Sequence, residues 1–532
     1  MKNVVKYIAI FGAAGVLFTS CIKEEFPTQY VNSAQIGGSA SGLEAAVAAS
    51  NAWLTESMSV LSSHGDFGYP GICMGLDALT SDVACGPEFG YDAEFLRWRA
   101  CSTISADGNA PYFIWKFFYT LVMNANDVIK TIDLESATSQ QKIYVAQAKV
   151  YRAMSYLYLS RVFEYKGTET GAFVGLTVPL ITEHTTEEMA QNNPRIPHEE
   201  MYAFIEAELL EAVDMLAGYN RPGKNQINQS VAYGMLARLY LADNAWAKAE
   251  AAARNAIQTS GCRLMTETEW HDPKSGFNNI DNPSWMWGIK ISSDDRVVTT
   301  GICNFVSFMS PESTYGYVSA GGYQSVKQID KNLYERIPDT DWRKKSWLDP
   351  DRSKFNYQYN LPAEIYASIP DYAPLKFRPG QGETGDYMTG SAADFPVMRV
   401  EEMYLIEAEA AAMQDASRGK ALLEAFALTR NPNFFTTAST STDLQDAILF
   451  QRQIELWGEG LTMFELKRLD KPQLRGYTGT NHFAGSRYNS PDGTAVWTTL
   501  PLPTLELNSN SALSSQQNPN PQTRRGTEWV ED

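Results

Sequence analysis

Aromatic and acidic side chains occur together in two glycine-rich and polar stretches of this sequence. A tyrosine or tryptophan ring can stack on the apolar face of a sugar ring, while a carboxylate accepts hydrogen bonds from the sugar hydroxyls. The candidate ligand-binding residues are Asp66, Tyr69, Asp82 and Trp98 in the first stretch and Tyr315, Tyr317 and Tyr323 in the second. For Tyr69, Trp98, Tyr315 and Tyr317, burial in the core is the alternative, because most aromatic residues are core residues.

Motifs for catalysis are missing from the sequence. It contains no G-x-S-x-G, H-E-x-x-H or P-loop motif, and its five histidines are scattered without an i, i+4 pair. We therefore expect a binding protein without a catalytic residue, cofactor or metal ligand, and keep only His64 in view because it lies within the first stretch. A surface glycoside hydrolase is the enzyme alternative, since two of the 62 acidic residues could meet in space.

The elements that position these residues are mainly helices. Apolar residues recur at steps of three and four in 146–157, 205–216 and 232–239, and further blocks lie at about 400–414, 418–430 and 443–459, with Thr442 or Asp443 as a helix N-cap. Small residues on two consecutive helices near 232–257 follow the tetratricopeptide pattern. The prediction is a mainly α fold in which tetratricopeptide-like helix pairs form a scaffold with long irregular loops and a few short strands. A purely structural tetratricopeptide adaptor is a third class of function.

The mature chain is predicted to be a single domain of residues 41–532. Its helical scaffold lies mostly in 111–260 and 396–470, and its loop-rich ligand face mostly in 62–110 and 260–395. Trp285 and Trp287 alternate beside Ile289 and predict a buried strand.

The first residues have the layout of a secretory signal. Lys2 and Lys6 precede an apolar run too short to span a bilayer, which ends at Thr19-Ser20-Cys21. We predict a signal peptide at 1–20, lipidation of Cys21, and a tether over 21–40. An ordinary signal peptide with an incidental cysteine is the alternative.

Charge and cysteine content exclude two further classes. A net charge of −18 disfavours nucleic-acid binding, which needs a basic surface. Without Cys21, an odd number of irregularly spaced cysteines remains, which favours buried free thiols over a disulfide framework. One local bridge among Cys73, Cys85 and Cys101 stays possible on spacing.

An ordered set of motifs resembles the SusD/RagB-like nutrient-binding lipoproteins of Bacteroidota. The most specific segments are FPVMRVEEMYLIEAEA at 395–410 and QRQIELWGEG at 451–460, followed by FELKR at 464–468. Further matching segments lie at 146–159, 161–163, 178–180, 193–195, 201–212, 232–257, 282–285, 500–503, 507–508 and 517–519. The charges in these motifs lie among apolar residues, so we expect them to be paired within the scaffold rather than to form a catalytic pair.

The resemblance implies a function at the cell surface. Members of this family capture sugars on aromatic platforms in the two loop-rich regions and act as a hinged lid on a SusC-like TonB-dependent outer-membrane transporter. The resemblance thus implies an oligosaccharide or glycan ligand, that transporter as partner, and anchoring in the outer membrane through lipidated Cys21. Some relatives bind peptides, so a peptide is the alternative ligand.

Overall fold

The computed structural model describes residues 40–85, 104–167, 170–320, 323, 325–352, 363–521 and 527–528. These residues are mainly helical, which confirms the predicted fold class. The helices are α1 Ala40–Trp53, α2 Tyr69–Ala78, α3 Asn109–Thr131, α4 Ser139–Phe163, α5 Glu187–Ala190, α6 His198–Met215, α7 Gln229–Ala242, α8 Trp246–Ser260, α9 Glu267–His271, α10 Arg296–Thr299, α11 Phe305–Met309, α12 Tyr317–Ala320, α13 Lys331–Arg336, α14 Ala363–Ser368, α15 Tyr387–Gly390, α16 Val400–Gln414, α17 Ala416–Leu428, α18 Ser441–Glu455, α19 Thr462–Arg468 and α20 Thr504–Ser509. No helix among the described residues is both long and apolar enough to cross a membrane.

The strands are short and pair in small antiparallel sheets. They are β1 Val83–Cys85, β2 Leu176–Pro179, β3 Arg195–Pro197, β4 Trp285–Ile289, β5 Lys327–Ile329, β6 Phe395–Arg399, β7 Gln473–Leu474, β8 Tyr488–Ser490 and β9 Thr527–Glu528. Strand β1 pairs with β5, β2 with β3, β4 with β6, and β8 lies between β7 and β9. Short 3-10 turns cover Trp342–Ser346, Gly380–Gly382, Ala484–Ser486, Val496–Thr498 and Ser511–Gln516.

Consecutive helices pack side by side to form the scaffold. Helix α3 packs on α4, α4 on α6, α6 on α7, and α7 on α8, and α8 then packs on α16, which holds α17 and α18. Local sequence starts several of these helices: a capping box of Thr138 and Gln141 begins α4, and Asn228 caps α7. The predicted helix pairs are therefore present in the order that the periodicity indicated.

Small residues allow the helix backbones to approach closely. A Cβ atom added at Gly419 in α17 would lie 2.2 Å from the Cα atom of Ala412 in α16. Ala249, Ala253 and Ala256 are buried on α8, as the tetratricopeptide pattern predicts. Any larger side chain at Gly419 would force these two helices apart.

The predicted strand of Trp285 and Trp287 is confirmed as β4. All five of its residues are buried, and it pairs with β6 so that Trp285 lies opposite Arg399 and Ile289 opposite Phe395. This pairing carries the charged side chain of Arg399 into the centre of the molecule.

The motif charges are paired there, as expected for scaffold residues. Glu455 lies 2.9 Å from Arg343, 3.2 Å from Arg399 and 3.1 Å from Arg430, and none of these side chains is exposed to solvent. Glu459 binds the other side of Arg399 at 2.9 Å. The scaffold therefore encloses a buried network of alternating charges.

Three details differ from the sequence-based expectation. Helix α18 is capped by the Thr440 hydroxyl rather than by Thr442 or Asp443, and it ends at Glu455, so Glu459 lies beyond the helix. Arg452 and Glu455 share α18, but Arg452 pairs with Glu465 of α19, at 3.4 Å. Helical periodicity alone reveals neither the Thr440 cap nor the Glu465 partner of Arg452, because both residues lie outside α18.

The first loop-rich stretch also contains a helix that was not predicted. Helix α2 occupies Tyr69–Ala78, and every residue in it is buried. Burial on all sides removes the amphipathic pattern on which a helix prediction depends.

Buried free thiols are present at Cys73, Cys85 and Cys303, as expected, and Cys262 is a free thiol that is half-buried. Cys101 and Cys21 lie outside the described residues.

Candidate functional site

The two loop-rich stretches meet in space. Strand β1 pairs with β5 antiparallel, which sets Val83 opposite Ile329 and Cys85 opposite Lys327. The middle of the first stretch, at β1, therefore lies beside β5, which follows the segment that carries Tyr315, Tyr317 and Tyr323. Trp98 lies outside the described residues, thirteen positions after the end of this strand.

Asp66 holds a loop together from the inside. Its side chain accepts hydrogen bonds from the N–H groups of Val60 and Leu61, both at 2.7 Å, and the residue is 1% exposed. Burial raises the pKa of Asp66, while these amide bonds counteract the rise. Asp66 shapes the 57–66 loop and offers no open carboxylate to a ligand.

Tyr69 is a core residue in this structure. It is the first residue of α2, is 1% exposed, and its hydroxyl lies 2.7 Å from the hydroxyl of Tyr158. Its ring packs edge-to-face on Phe395. The expectation that Tyr69 lies on an exposed loop is wrong, because α2 folds it against α4 and β6.

Asp82 fastens β1 to the scaffold. Both of its carboxylate oxygens lie 3.0 Å from the side-chain amide of Gln453, which donates to them, and the Trp457 indole donates to its backbone carbonyl. Burial raises the pKa of Asp82 to about 7, and the nearby Asp330 adds to the rise. This carboxylate is also internal rather than open to a ligand.

Tyr317 and Tyr323 lie beneath the surface of the second stretch. Tyr317 stacks on Phe308 with ring centroids 4.5 Å apart, and Nδ1 of His64 contacts its hydroxyl. Tyr323 packs in a small cluster with Val318 and Leu348. The glycine and polar neighbours of Tyr317 and Tyr323 suggested that both rings are exposed, and this expectation is wrong. The long loop has apolar contacts of its own, and these bury both rings.

Tyr315 lies at the surface beside a second tyrosine that the sequence reasoning missed. Tyr315 is half-buried, and its ring centroid lies 6.5 Å from that of Tyr387, which is 39% exposed. Gly301 faces the Tyr387 ring without a side chain of its own. A signal was present in the sequence: Tyr387 follows Gly385-Asp386 in a glycine-rich stretch similar to those of the other candidates.

Two acids stand beside this tyrosine pair, Tyr315 and Tyr387. The N–H groups of Gly385 and Asp386 donate to the Glu383 side chain at 2.8 and 3.1 Å, and these bonds hold the pKa of Glu383 below its ordinary value. The Thr389 hydroxyl and the Met388 N–H hold the pKa of Asp386 low in the same way. Both carboxylates are therefore ionised acceptors at neutral pH.

Several loops converge on one surface, which we call the loop face: residues 56–64, 296–301, 314–317 and 383–390. Arg296 pairs with Glu56 at 3.2 Å, helix α10 lies against α15, and the Thr314 N–H donates to the carbonyl of Thr384 at 2.9 Å. The loop face thus combines the exposed Tyr387 ring and the half-buried Tyr315 ring with charged hydrogen-bonding groups. Among the described residues, no group of three histidine, cysteine or acidic side chains could hold a metal ion.

A cavity of about 710 Å³ lies elsewhere, between α3, α5 and α20. Its wall includes Trp115, Tyr119 and Glu506, and the Tyr119 hydroxyl already donates to the carbonyl of Pro179 at 2.7 Å. None of the ligand-binding residues predicted from the sequence lines this cavity.

Two protein-family models match separate parts of the chain. Residues 367–520 match the SusD family, and residues 80–241 match the family described as starch-binding associating with outer membrane. No curated protein matches the chain significantly.

Solved structures share the fold over almost their whole length. A SusD-like carbohydrate-binding protein from Bacteroides vulgatus has a TM-score of 0.72 at 22% identity, covering 90% of this chain and 98% of its own. A laminarin-binding SusD-like protein has a TM-score of 0.64 at 21% identity, with 90% and 99% covered. Surface glycan-binding protein A from Bacteroides thetaiotaomicron has a TM-score of 0.63 at 15% identity, with 90% and 98% covered.

The two family matches contain the most specific motifs of the sequence and lie in order within this shared fold. These matches, together with the shared fold, identify the chain as SusD/RagB-like.

Proposed function

We propose that the protein is a lipoprotein of the cell surface that binds a glycan at the loop face and delivers it to a SusC-like TonB-dependent outer-membrane transporter. The observation that carries the proposal is the tyrosine pair with its two ionised acids. The family description names starch binding and outer-membrane association, and one protein of the same fold is named as laminarin-binding.

The chemistry of the loop face suits a sugar. The exposed Tyr387 ring can stack on the C–H face of a pyranose, while Glu383 and Asp386 accept hydrogen bonds from its hydroxyls. We place Trp98 at the same site, because its segment begins beside the second stretch at β1. Asp66, Tyr69, Asp82, Tyr317 and Tyr323 are buried, so their role would be to stabilise the fold around the site rather than to contact the ligand.

Substitution of Tyr387 by alanine tests the site. Loss of one stacking ring, worth on the order of 1 kcal/mol or more, should weaken glycan binding at least fivefold. The melting temperature should stay unchanged, because an exposed ring leaves no cavity when it is removed. Calorimetry with neutral oligosaccharides measures the affinity. Phe435→Ala is the matched control, since that ring is 77% exposed and lies outside the loop face. Equal affinities for wild type and Tyr387→Ala would refute this site.

Anchoring and partner are tested in the native membrane. Lipidation of Cys21 would hold the binder at the outer membrane, where a bound glycan is useful only if a channel takes it inward. Pulldown from detergent-solubilised membranes should co-purify a large SusC-like transporter. Its reproducible absence would contradict the delivery role.

Two alternatives are distinguished by the same preparation. A peptide-binding member of the family would show heat on titration with peptides but not with oligosaccharides. A surface glycoside hydrolase would release reducing sugar from a glycan that it binds, and the proposed binder should release none.

A further inference from the structure

A second cavity, of about 420 Å³, lies among α1, α4 and the loop before α7. Its size falls in the range of small-ligand pockets, roughly 300–1,000 Å³. Residues from Glu44 to Asn51 form one wall, residues from Gln140 to Tyr151 a second, and residues from Tyr219 to Ile227 the third. None of the tyrosine pair or its neighbouring acids contributes to it, so it is separate from the loop face.

Tyrosines and carboxamides dominate the wall. The rings belong to Tyr144, Tyr151 and Tyr219, and the amides to Asn51, Gln140, Gln147, Asn225 and Gln226. The exposed Glu44 is the sole charged residue lining the cavity within the described part of the chain. A carboxamide both donates and accepts hydrogen bonds without charge, which matches the hydroxyls of a neutral sugar.

Two polar groups in this wall are unsatisfied. Tyr151 is 2% exposed, and within the described residues its hydroxyl makes no hydrogen bond, so burial is the one cause that raises its pKa. The side-chain oxygen of Asn51 is buried and also lacks a partner among the described residues. A buried polar group without a partner costs free energy, so the Asn51 oxygen points to a ligand or water that completes its hydrogen bond. The Tyr151 hydroxyl belongs to the same cavity wall and is available to the same ligand.

Other polar groups fix the shape of the wall. The Tyr219 hydroxyl donates to Gln226 at 2.6 Å, and the Gln147 amide donates to the carbonyl of Ile227 at 3.0 Å. The first bond braces the third wall internally, and the second holds that wall against α4. The ring of Tyr151 packs on Trp287 with centroids 5.6 Å apart, which fixes the direction of its free hydroxyl. The cavity is therefore preformed rather than created by a ligand.

We propose that this cavity is a second binding site for a short neutral oligosaccharide, in which the Tyr151 hydroxyl and the Asn51 side chain bind sugar hydroxyls. The inference rests on the proposed glycan function and adds a site to it.

The test uses the mature chain and three probes: maltotriose, laminaritriose and xylotriose, with trialanine as a peptide probe. Tyr151→Phe removes only the free hydroxyl and keeps the ring on Trp287. It should weaken binding of at least one trisaccharide about five- to tenfold, the effect of one hydrogen bond, without lowering the melting temperature. Ala48→Trp, at an exposed position in the cavity wall, should abolish the same binding.

Tyr119→Phe is the matched control, because its hydroxyl is already bonded to Pro179. It should keep trisaccharide affinity and lower the melting temperature. These measurements are repeated in Tyr387→Ala protein, in which the loop-face site is weakened. Binding that survives Tyr387→Ala but falls with Tyr151→Phe and Ala48→Trp supports the second site.

The remaining outcomes separate this inference from the proposed function. Binding that depends on Tyr387 and not on the two cavity variants overturns the second site and leaves the proposed function standing. If Tyr387→Ala leaves trisaccharide binding at the wild-type level while both cavity variants weaken it, the loop-face site is overturned and the second site stands. Cavity-dependent binding of trialanine alone, or no trisaccharide binding to any protein, overturns the second site.

Discussion

Replacement of Glu455 by glutamine should strongly destabilise the protein, because this carboxylate is shared by three buried guanidinium groups. Burial alone would raise the pKa of Glu455, but Arg430, Arg399 and Arg343 outweigh it and hold the pKa well below its usual range. Glutamine keeps the size of the side chain and removes its charge. The remaining partners are Asp341 for Arg343, Glu459 for Arg399 and Glu401 for Arg430.

The magnitude follows from the burial of these groups. Breaking a buried ion pair by removing one partner costs about 3–5 kcal/mol, since an uncompensated charge stays in the interior. An unfolding entropy of about 2.1 cal/mol/K per residue gives about 1 kcal/mol/K for a cooperative unit of about 500 residues. The same loss should therefore lower the melting temperature by only about 3–5 °C, so denaturant titration is the more sensitive assay.

A surface substitution of the same kind is the control for Glu455→Gln. Glu424 lies 3.9 Å from Lys420, and both side chains are about one-third exposed. Glu424→Gln should change the free energy of unfolding by less than about 0.5 kcal/mol. A cost below about 1 kcal/mol for Glu455→Gln, measured beside this control, would refute the argument that the network stabilises the scaffold.

Three further expectations concern the anchor, the site and the pH dependence of stability. Cys21→Ala should release the protein from the membrane fraction, and a variant that stays bound would contradict lipidation at this residue. Trp98→Ala should weaken glycan binding about tenfold to a hundredfold at unchanged stability, whereas lost stability with unchanged affinity would make Trp98 a core residue. Burial raises the pKa of Asp77 to about 8, above its value in the unfolded chain, so the stability it supports is present at acidic pH and lost as pH rises from about 4 to 8. Relative to Asp77→Asn, the wild type should lose up to about 1.4 kcal/mol per pH unit in that window, and parallel stability profiles would contradict this.

The sequence predicted the scaffold because helix faces are encoded by local spacing. The periodic block at 146–157 lies in α4, the block at 205–216 lies in α6 and extends one residue beyond it, and the block at 232–239 lies in α7. The alternation of Trp285 and Trp287 corresponds to strand β4. Each pattern spans only a few turns, so short-range information is enough. The expected pairing of the motif charges is also confirmed, because a charged side chain among apolar residues needs a partner of opposite charge.

Exposure of the candidate rings was decided by the tertiary structure alone. Tyr69 is buried by Tyr158 and Phe395, and Asp82 is bound by Gln453, 371 positions away along the chain. Tyr387 and Tyr315 form a surface pair only because the 314 and 384 segments are joined. Glycine and polar neighbours mark a loop, but they do not say what packs over it. Whether a loop tyrosine meets solvent or the core is set by contacts between residues hundreds of positions apart, which no local pattern contains.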